Sequence, residues 1–213
     1  MPALSQAVEA AVERHWVRAC RDRPLFNGRV FSADHVTPDL IVGHWTEYRR
    51  VLAQMTDPSL RPALRVRSLS VCGALLGPDG VVVGRREAAS VYQAGLWQLP
   101  PAGSVDDGCD RDGVADLRHA LLAELQEELG VGAEAVLSLR PLCLVDHPNG
   151  VLDIGFQIDT SWDAEAILAA HQRVGNREYE RLIVLPPREV AAHLAAMGEA
   201  LVPSAGAFLT RVG

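Results

Sequence analysis

Between Gly113 and Leu129, the residues Val114, Leu117, Leu121, Leu125 and Leu129 recur at spacings of three and four, and Gly130 follows. That period predicts an α-helix with one aliphatic stripe and a glycine stop, so the rest of the chain must supply an apolar surface for it to cover. At about 100° per residue, Glu128 projects into the middle of the stripe, with Glu124 at its edge and Glu127 one step further round. A carboxylate is aimed at the interior. Like charges three and four residues apart cost about 0.2–0.5 kcal/mol each on an isolated helix, and more once desolvated. No basic residue within a turn on the C-terminal side neutralises the cluster, and the macrodipole disfavours negative charge at that end. Three oxygen donors without sulfur or imidazole suit a hard divalent cation, Mg²⁺ or Mn²⁺. The competing reading is an acidic, solvated helix face.

Around this helix the chain reads as mixed α/β. Residues 1–65 predict a small N-terminal α+β module: an amphipathic helix over Met1–Cys20, extended pieces at Leu25–Phe31 and Leu40–Val42, and a helix near Thr46–Met55 closed by Asp57-Pro58. From residue 66 to 213 a second domain is expected. Val66–Leu76 and Val81–Arg85 form a hairpin across Gly77-Pro78-Asp79-Gly80, and a Gly/Pro loop spans Gly95–Gly103. Strands follow at Leu137–Val145, Val151–Ile158 and Arg181–Val184, with a last helix from Arg188 to about Met197. Strands interleaved with helices predict a mixed sheet sandwiched between helices.

Composition removes several function classes. A net charge of −7 opposes sequence-independent binding to nucleic acid or anionic lipid, so neither a nucleic-acid polymer nor a membrane is an expected partner. All 20 basic residues are Arg, which excludes Schiff-base chemistry and a P-loop lysine but leaves a planar fork for phosphate. Cys20, Cys72, Cys109 and Cys143 are scattered without ligand spacing and read as free thiols of a cytoplasmic protein. The start of the chain lacks the uninterrupted apolar stretch of a signal peptide.

Ala123-Glu124-Leu125-Gln126-Glu127-Glu128-Leu129-Gly130-Val131 resembles the end of the Nudix box, G-x5-E-x7-R-E-U-x-E-E-x-G-U with U aliphatic, and Gly95-Leu96-Trp97-Gln98-Leu99-Pro100-Pro101-Ala102-Gly103 is similar to that family's approach into it. The resemblance covers roughly residues 66–131 and implies a Nudix-like α/β/α sandwich with a mixed sheet. Two positions depart from the pattern: the box Glu falls at Cys109 and the box Arg at Ala123. The distance from Gly103 to Glu124 is six residues too long, which places an insertion within Cys109–Asp116, with Asp110-Arg111-Asp112-Gly113 the extra loop. In the family the lost pair joins loop to helix, and losing both members leaves no buried charge unpaired. Asp110, Asp112 and Asp116 are the available substitutes.

What the resemblance implies is metal-dependent hydrolysis of a diphosphate bond in a nucleoside diphosphate linked to another moiety, nucleotide sugars slightly ahead. Glu124, Glu127 and Glu128 would bind Mg²⁺ or Mn²⁺, with the Gly103 carbonyl as a backbone ligand. Glu127 and Glu128 carry over as catalytic residues, with Glu178 or Glu180 as an outside general base. Arg85 and Arg86 are candidates to clamp phosphate, and Trp97 to stack on a base or sugar. His147 reads as an exposed turn residue and Cys109 as a poor nucleophile among acids. The rival with the same fold is a binder that has lost catalysis. Trp45, Tyr48 and Phe26 are available to cover the active-site cleft or a second subunit of a homodimer, and the sequence does not choose.

Overall fold

The computed structural model describes residues 4–22, 25–90 and 92–212. In chain order its elements are α1 (Gln6–Asp22), β1 (Arg29–Val36), β2 (Ile41–Glu47), α2 (Tyr48–Thr56), α3 (Arg61–Leu64), β3 (Ser68–Gly77), β4 (Gly80–Arg86), β5 (Trp97–Gln98), β6 (Ala102–Ser104), β7 (Asp110–Arg111), β8 (Val114–Ala115), α4 (Leu117–Leu129), β9 (Val136–Asp146), β10 (Val151–Thr160), α5 (Ala164–Val174), β11 (Tyr179–Leu185), α6 (Pro187–Met197) and α7 (Pro203–Leu209). No described helix is long and apolar enough to cross a membrane. The chain divides into two compact units, one of residues 1–70, 104–116 and 146–152, the other of residues 71–103, 117–145 and 153–213.

In the first unit the extended pieces read from sequence are one antiparallel hairpin, β1 with β2, pairing from Arg29↔Glu47 to Val36↔Ile41 with a bulge between Ala33 and His35. Ala11 and Val12 of α1 pack on Ala53 and Leu60, and the rims are tied by Arg50–Glu9 at 2.9 Å and Arg49–Glu13 at 3.0 Å. Gln54, 2% exposed, spans a gap in the backbone pairing. Its amide nitrogen donates to Val66 O at 2.7 Å and its oxygen accepts from Val66 N at 2.9 Å, in the manner of a strand neighbour. Trp45 meets Phe31 edge to face and donates its indole N–H to Asp110 Oδ2 at 2.8 Å, and Tyr48 meets Trp16 edge to face. Two of the three aromatics available for a cleft or a partner are thus packed inside this unit, whereas Phe26 is 88% exposed.

Two expectations need correction here. The long helix begins at Leu117, not Gly113, because Asp112 and Gly113 take positive φ values of 54° and 84° and turn β7 back on β8. Asp-Gly between short extended pairs is a hairpin signal, and Gly113 N donates to Asp110 Oδ1 at 2.8 Å to close it. Val114 therefore leaves the helical stripe and is 68% exposed. His147 is buried, at 8% exposure, and not an exposed turn residue; the turn it opens is closed by its N–H donating to Val151 O and its carbonyl accepting from Gly150 N, both at 2.9 Å.

The second unit is a layered sandwich built on a mixed sheet. β4 lies antiparallel between β3 and β11, β10 lies beside β3 and β9, and β5 adds to β4. Strand alternation gives β3 two apolar faces. Cys72 and Ala74, with Val81 and Val83 of β4 and Leu185 of β11, pack on Val202, Ala205 and Phe208 of the α7 segment. On the opposite face a side chain at Gly77 would strike the Trp162 carbonyl just before α5 and touch Ile167 of α5, and α5 packs on α4. Leu121, Leu125 and Leu129 of α4 are fully buried. Helices on both faces of a mixed sheet make this a Nudix-like α/β/α sandwich.

Replacing Gln54 by Leu keeps the volume but strands the N–H and C=O of Val66. Urea denaturation should show a loss of about 1–3 kcal/mol; an unchanged midpoint would mean that Val66 finds other partners.

Candidate active site

The loop before α4 is pinned to the sheet, with Gly73 N donating to Pro101 O at 2.7 Å, and its next residue turns an N–H toward the helix. Ala102 N donates to Glu128 Oε2 at 3.1 Å. The hydroxyl of Tyr179, at the start of β11, donates to the same oxygen at 3.0 Å, and Gln98 Nε2 of β5 donates to that hydroxyl at 2.5 Å. Glu128 is 1% exposed, and its second oxygen, Oε1, is buried with no hydrogen-bond partner. Burial pushes the Glu128 carboxyl well above the ordinary range, and the charges of Glu178 and Glu124 push it further. The donors on Oε2 oppose the shift without cancelling it.

The end of α4 that carries these acids is held by side chains rather than left to solvent. His171 Nδ1 bonds the Glu128 carbonyl at 2.9 Å and Asn176 Nδ2 donates to the Glu127 carbonyl at 3.2 Å, so two of the terminal carbonyls gain partners from α5 and the loop after it. Glu124 is half-buried and lies against Gly103, where any Cβ would collide with its carboxylate. The glycine thus lets the loop backbone approach the acid closely. The Glu127 carboxylate is exposed. Among the described residues no group of three His, Cys, Asp or Glu side chains is already gathered as a metal site.

Glu178 precedes β11 and pairs with Arg86 at 2.8 Å, the guanidinium being 13% exposed. Arg85 pairs with Glu180 at 3.1 Å and is 49% exposed. The two arginines considered for phosphate therefore differ: Arg86 holds a carboxylate, while Arg85 keeps half its surface in solvent. Trp97 is half-buried against the α7-side core, with the Arg181 guanidinium 5.9 Å from its ring centroid. Cys109 is buried and its thiol donates to Asp106 O at 3.0 Å; burial, then the charges of Asp106 and Asp116, push its pKa up, which suits no nucleophile. Of the acids offered as substitutes for the lost box pair, Asp110 is engaged by Trp45 and by Gly113 N.

Tyr179 and Gln98 lie outside the site residues expected from the sequence, although Gln98 falls within the Gly95–Gly103 approach and Tyr179 between Glu178 and Glu180. Tyr179 stands between two acids at a strand end, and Gln98 between Trp97 and Leu99; a polar or amphipathic residue at an inward strand position was the available signal.

The fold is that of a Nudix-like α/β/α sandwich. It is similar to the crystal structure of DR0079 from Deinococcus radiodurans, with a TM-score of 0.57 and 19% identity over 87% of this chain and 99% of that one. It is also similar, at TM-scores of 0.48 and 0.49, to a MutT protein from Methanosarcina mazei Go1 (20% identity, 68% of this chain and 91% of that one) and a bifunctional NMN adenylyltransferase/ADP ribose pyrophosphatase from Francisella tularensis (14% identity, 78% and 48%). No protein-family model matches the sequence, and no curated protein does either.

The buried Glu128 gives a stability prediction with a definite sign. Its pKa in the folded state is raised above the ordinary 4.5, so the native state holds the proton more tightly than the unfolded chain does. Its contribution is therefore most favourable at low pH and is lost as pH rises from the unfolded value through the folded one. Glu128→Gln should stabilise the protein in metal-free buffer at about pH 8, by about 1–3 kcal/mol, and the gain should vanish near pH 4. Paired thermal melts at the two pH values check this; a Gln variant less stable at the higher pH would contradict it.

Proposed function

We propose that this chain is a metal-dependent pyrophosphohydrolase of the Nudix type, acting on a nucleoside diphosphate linked to another moiety, with nucleotide sugars the preferred class. The observation that carries the reading is Glu128 Oε1: a buried carboxylate oxygen without a partner, beside two further acids, is compensated by a cation. The donor set fits Mg²⁺ or Mn²⁺. Glu128 and Glu124 offer carboxylate oxygen, the Gly103 backbone comes close to the Glu124 carboxylate, and a hard cation that keeps several waters needs few protein ligands. Glu127, exposed on the same helix end, is the third acid that would help hold the cation.

When bound, such a cation neutralises phosphate oxygens and lowers the pKa of a coordinated water. The rest falls to the chain's own residues. Tyr179 and Ala102 hold Glu128, the loop 99–103 positions the Gly103 carbonyl, and Arg86 fixes Glu178 where it can accept a proton from an attacking water. Arg85 is the side chain with surface left to meet a substrate phosphate, and Trp97 and Arg181 offer a flat face and a charge to the group beyond it. The DR0079 likeness supports the fold under this reading, and the sequence resemblance at residues 95–103 and 123–131 supports the chemistry.

A second reading keeps the fold without turnover, and the observation favouring it is the altered box, with Cys109 and Ala123 where an ion pair is expected. The two are separated by measuring product release from ADP-ribose, UDP-glucose, dinucleoside polyphosphates, NADH and coenzyme A, with and without Mg²⁺ or Mn²⁺. Cation-dependent turnover should appear on at least one substrate, and Glu128→Gln should lower its kcat/KM by about 100-fold or more. Ligand binding without turnover, unchanged in the Gln variant, would establish the binder instead.

A further inference from the structure

The polar groups around Glu128 are arranged asymmetrically. Both donors that reach the carboxylate, Ala102 N–H and the Tyr179 hydroxyl, end on Oε2, and neither touches Oε1. The hydroxyl has one proton, and its direction is settled by Gln98: because Nε2 donates to the phenolic oxygen, that oxygen is an acceptor on the Gln98 side, and its proton goes to Glu128. The ring has little freedom to turn away. Gly84 of β4 lies flat beneath it, where a Cβ would strike the ring, and the His171 ring stands 6.4 Å away on the α5 side. Tyr179, Gln98 and Glu128 are 4%, 5% and 1% exposed, so no solvent competes for these bonds.

We propose that Tyr179, oriented by Gln98, is a positioning residue that makes Glu128 a one-oxygen ligand: Oε2 is occupied by protein donors and Oε1 alone is presented to a divalent cation. This rests on the metal-dependent reading above. One-oxygen presentation selects among cations, since Mg²⁺ and Mn²⁺ take single carboxylate oxygens in an octahedral shell, whereas Ca²⁺ accepts both oxygens of one carboxylate in a larger one. A structural role for Tyr179 would move stability and leave that preference alone.

The experiment is a Mn²⁺ titration of the full chain, read by the electron paramagnetic resonance of free Mn²⁺, with Mg²⁺ and Ca²⁺ as competitors. Wild type, Glu128→Gln, Tyr179→Phe and Gln98→Leu are compared, each first shown folded by circular dichroism. Wild type should bind Mn²⁺ and Glu128→Gln should not. Tyr179→Phe and Gln98→Leu should bind about 10–100-fold more weakly, with Ca²⁺ gaining on Mg²⁺ as competitor. Wild-type affinity and an unchanged Mg²⁺/Ca²⁺ order in a folded Tyr179→Phe overturn the proposal while leaving the metal reading intact. If Tyr179→Phe does not fold, Gln98→Leu decides by the same two readouts. Absence of Mn²⁺ binding by wild type overturns the metal reading itself, and the positioning role with it.

Discussion

A carboxylate on α4 buried to 1% exposure would be expelled from a core unless its surroundings were built for it, and the second unit is built around that demand. Glu128 draws one donor from β6, at Ala102, and one from β11, at Tyr179. A third residue, Gln98 on β5, is needed to aim the second donor. One helix and three strands are thereby fixed relative to one another through a single side chain. Oε1 is left over, and the helix end bearing it is held by His171 and Asn176 through the carbonyls of Glu128 and Glu127. The burial carries an electrostatic cost, and under the metal-dependent reading proposed above a cation would relieve it, a common feature of sites where stability is exchanged for function.

The first unit solves a different problem with similar means. Gln54 supplies the hydrogen bonds of a missing strand to Val66, and Asp110 ties the inserted β7–β8 hairpin to Trp45. Cys109, at the position where the family pattern has a glutamate, is buried with its thiol turned to the Asp106 carbonyl.

Much of the sheet was legible because its strands are long and apolar: β3, β4, β9 and β10 fall within a few residues of the segments read from periodicity. α5 was passed over although its signals are ordinary, with Asp163 accepting from Ala166 N at one end and Gly175 at a positive φ of 67° at the other; its helical pattern is too mixed to stand out from the strands on either side. α4 starts later than its aliphatic stripe predicts because Val114 happens to continue the stripe, and aliphatic spacing alone cannot tell a helix from a hairpin that precedes one. His147 is buried although its turn residues predict exposure, because they describe backbone geometry and say nothing about what packs over the turn.

By itself the sequence determined the helix that carries the acids, the inward aim of Glu128 and the approach loop through Gly103, because helical period and glycine placement are local properties of the chain. Only the tertiary structure decided that one oxygen of Glu128 is held and the other left open, that Arg86 is committed to Glu178, and that Tyr179 and Gln98 stand behind the site. Those contacts join residues separated by 26 to 92 positions, and hydrogen-bond direction depends on which groups meet in space, information that no local spacing contains.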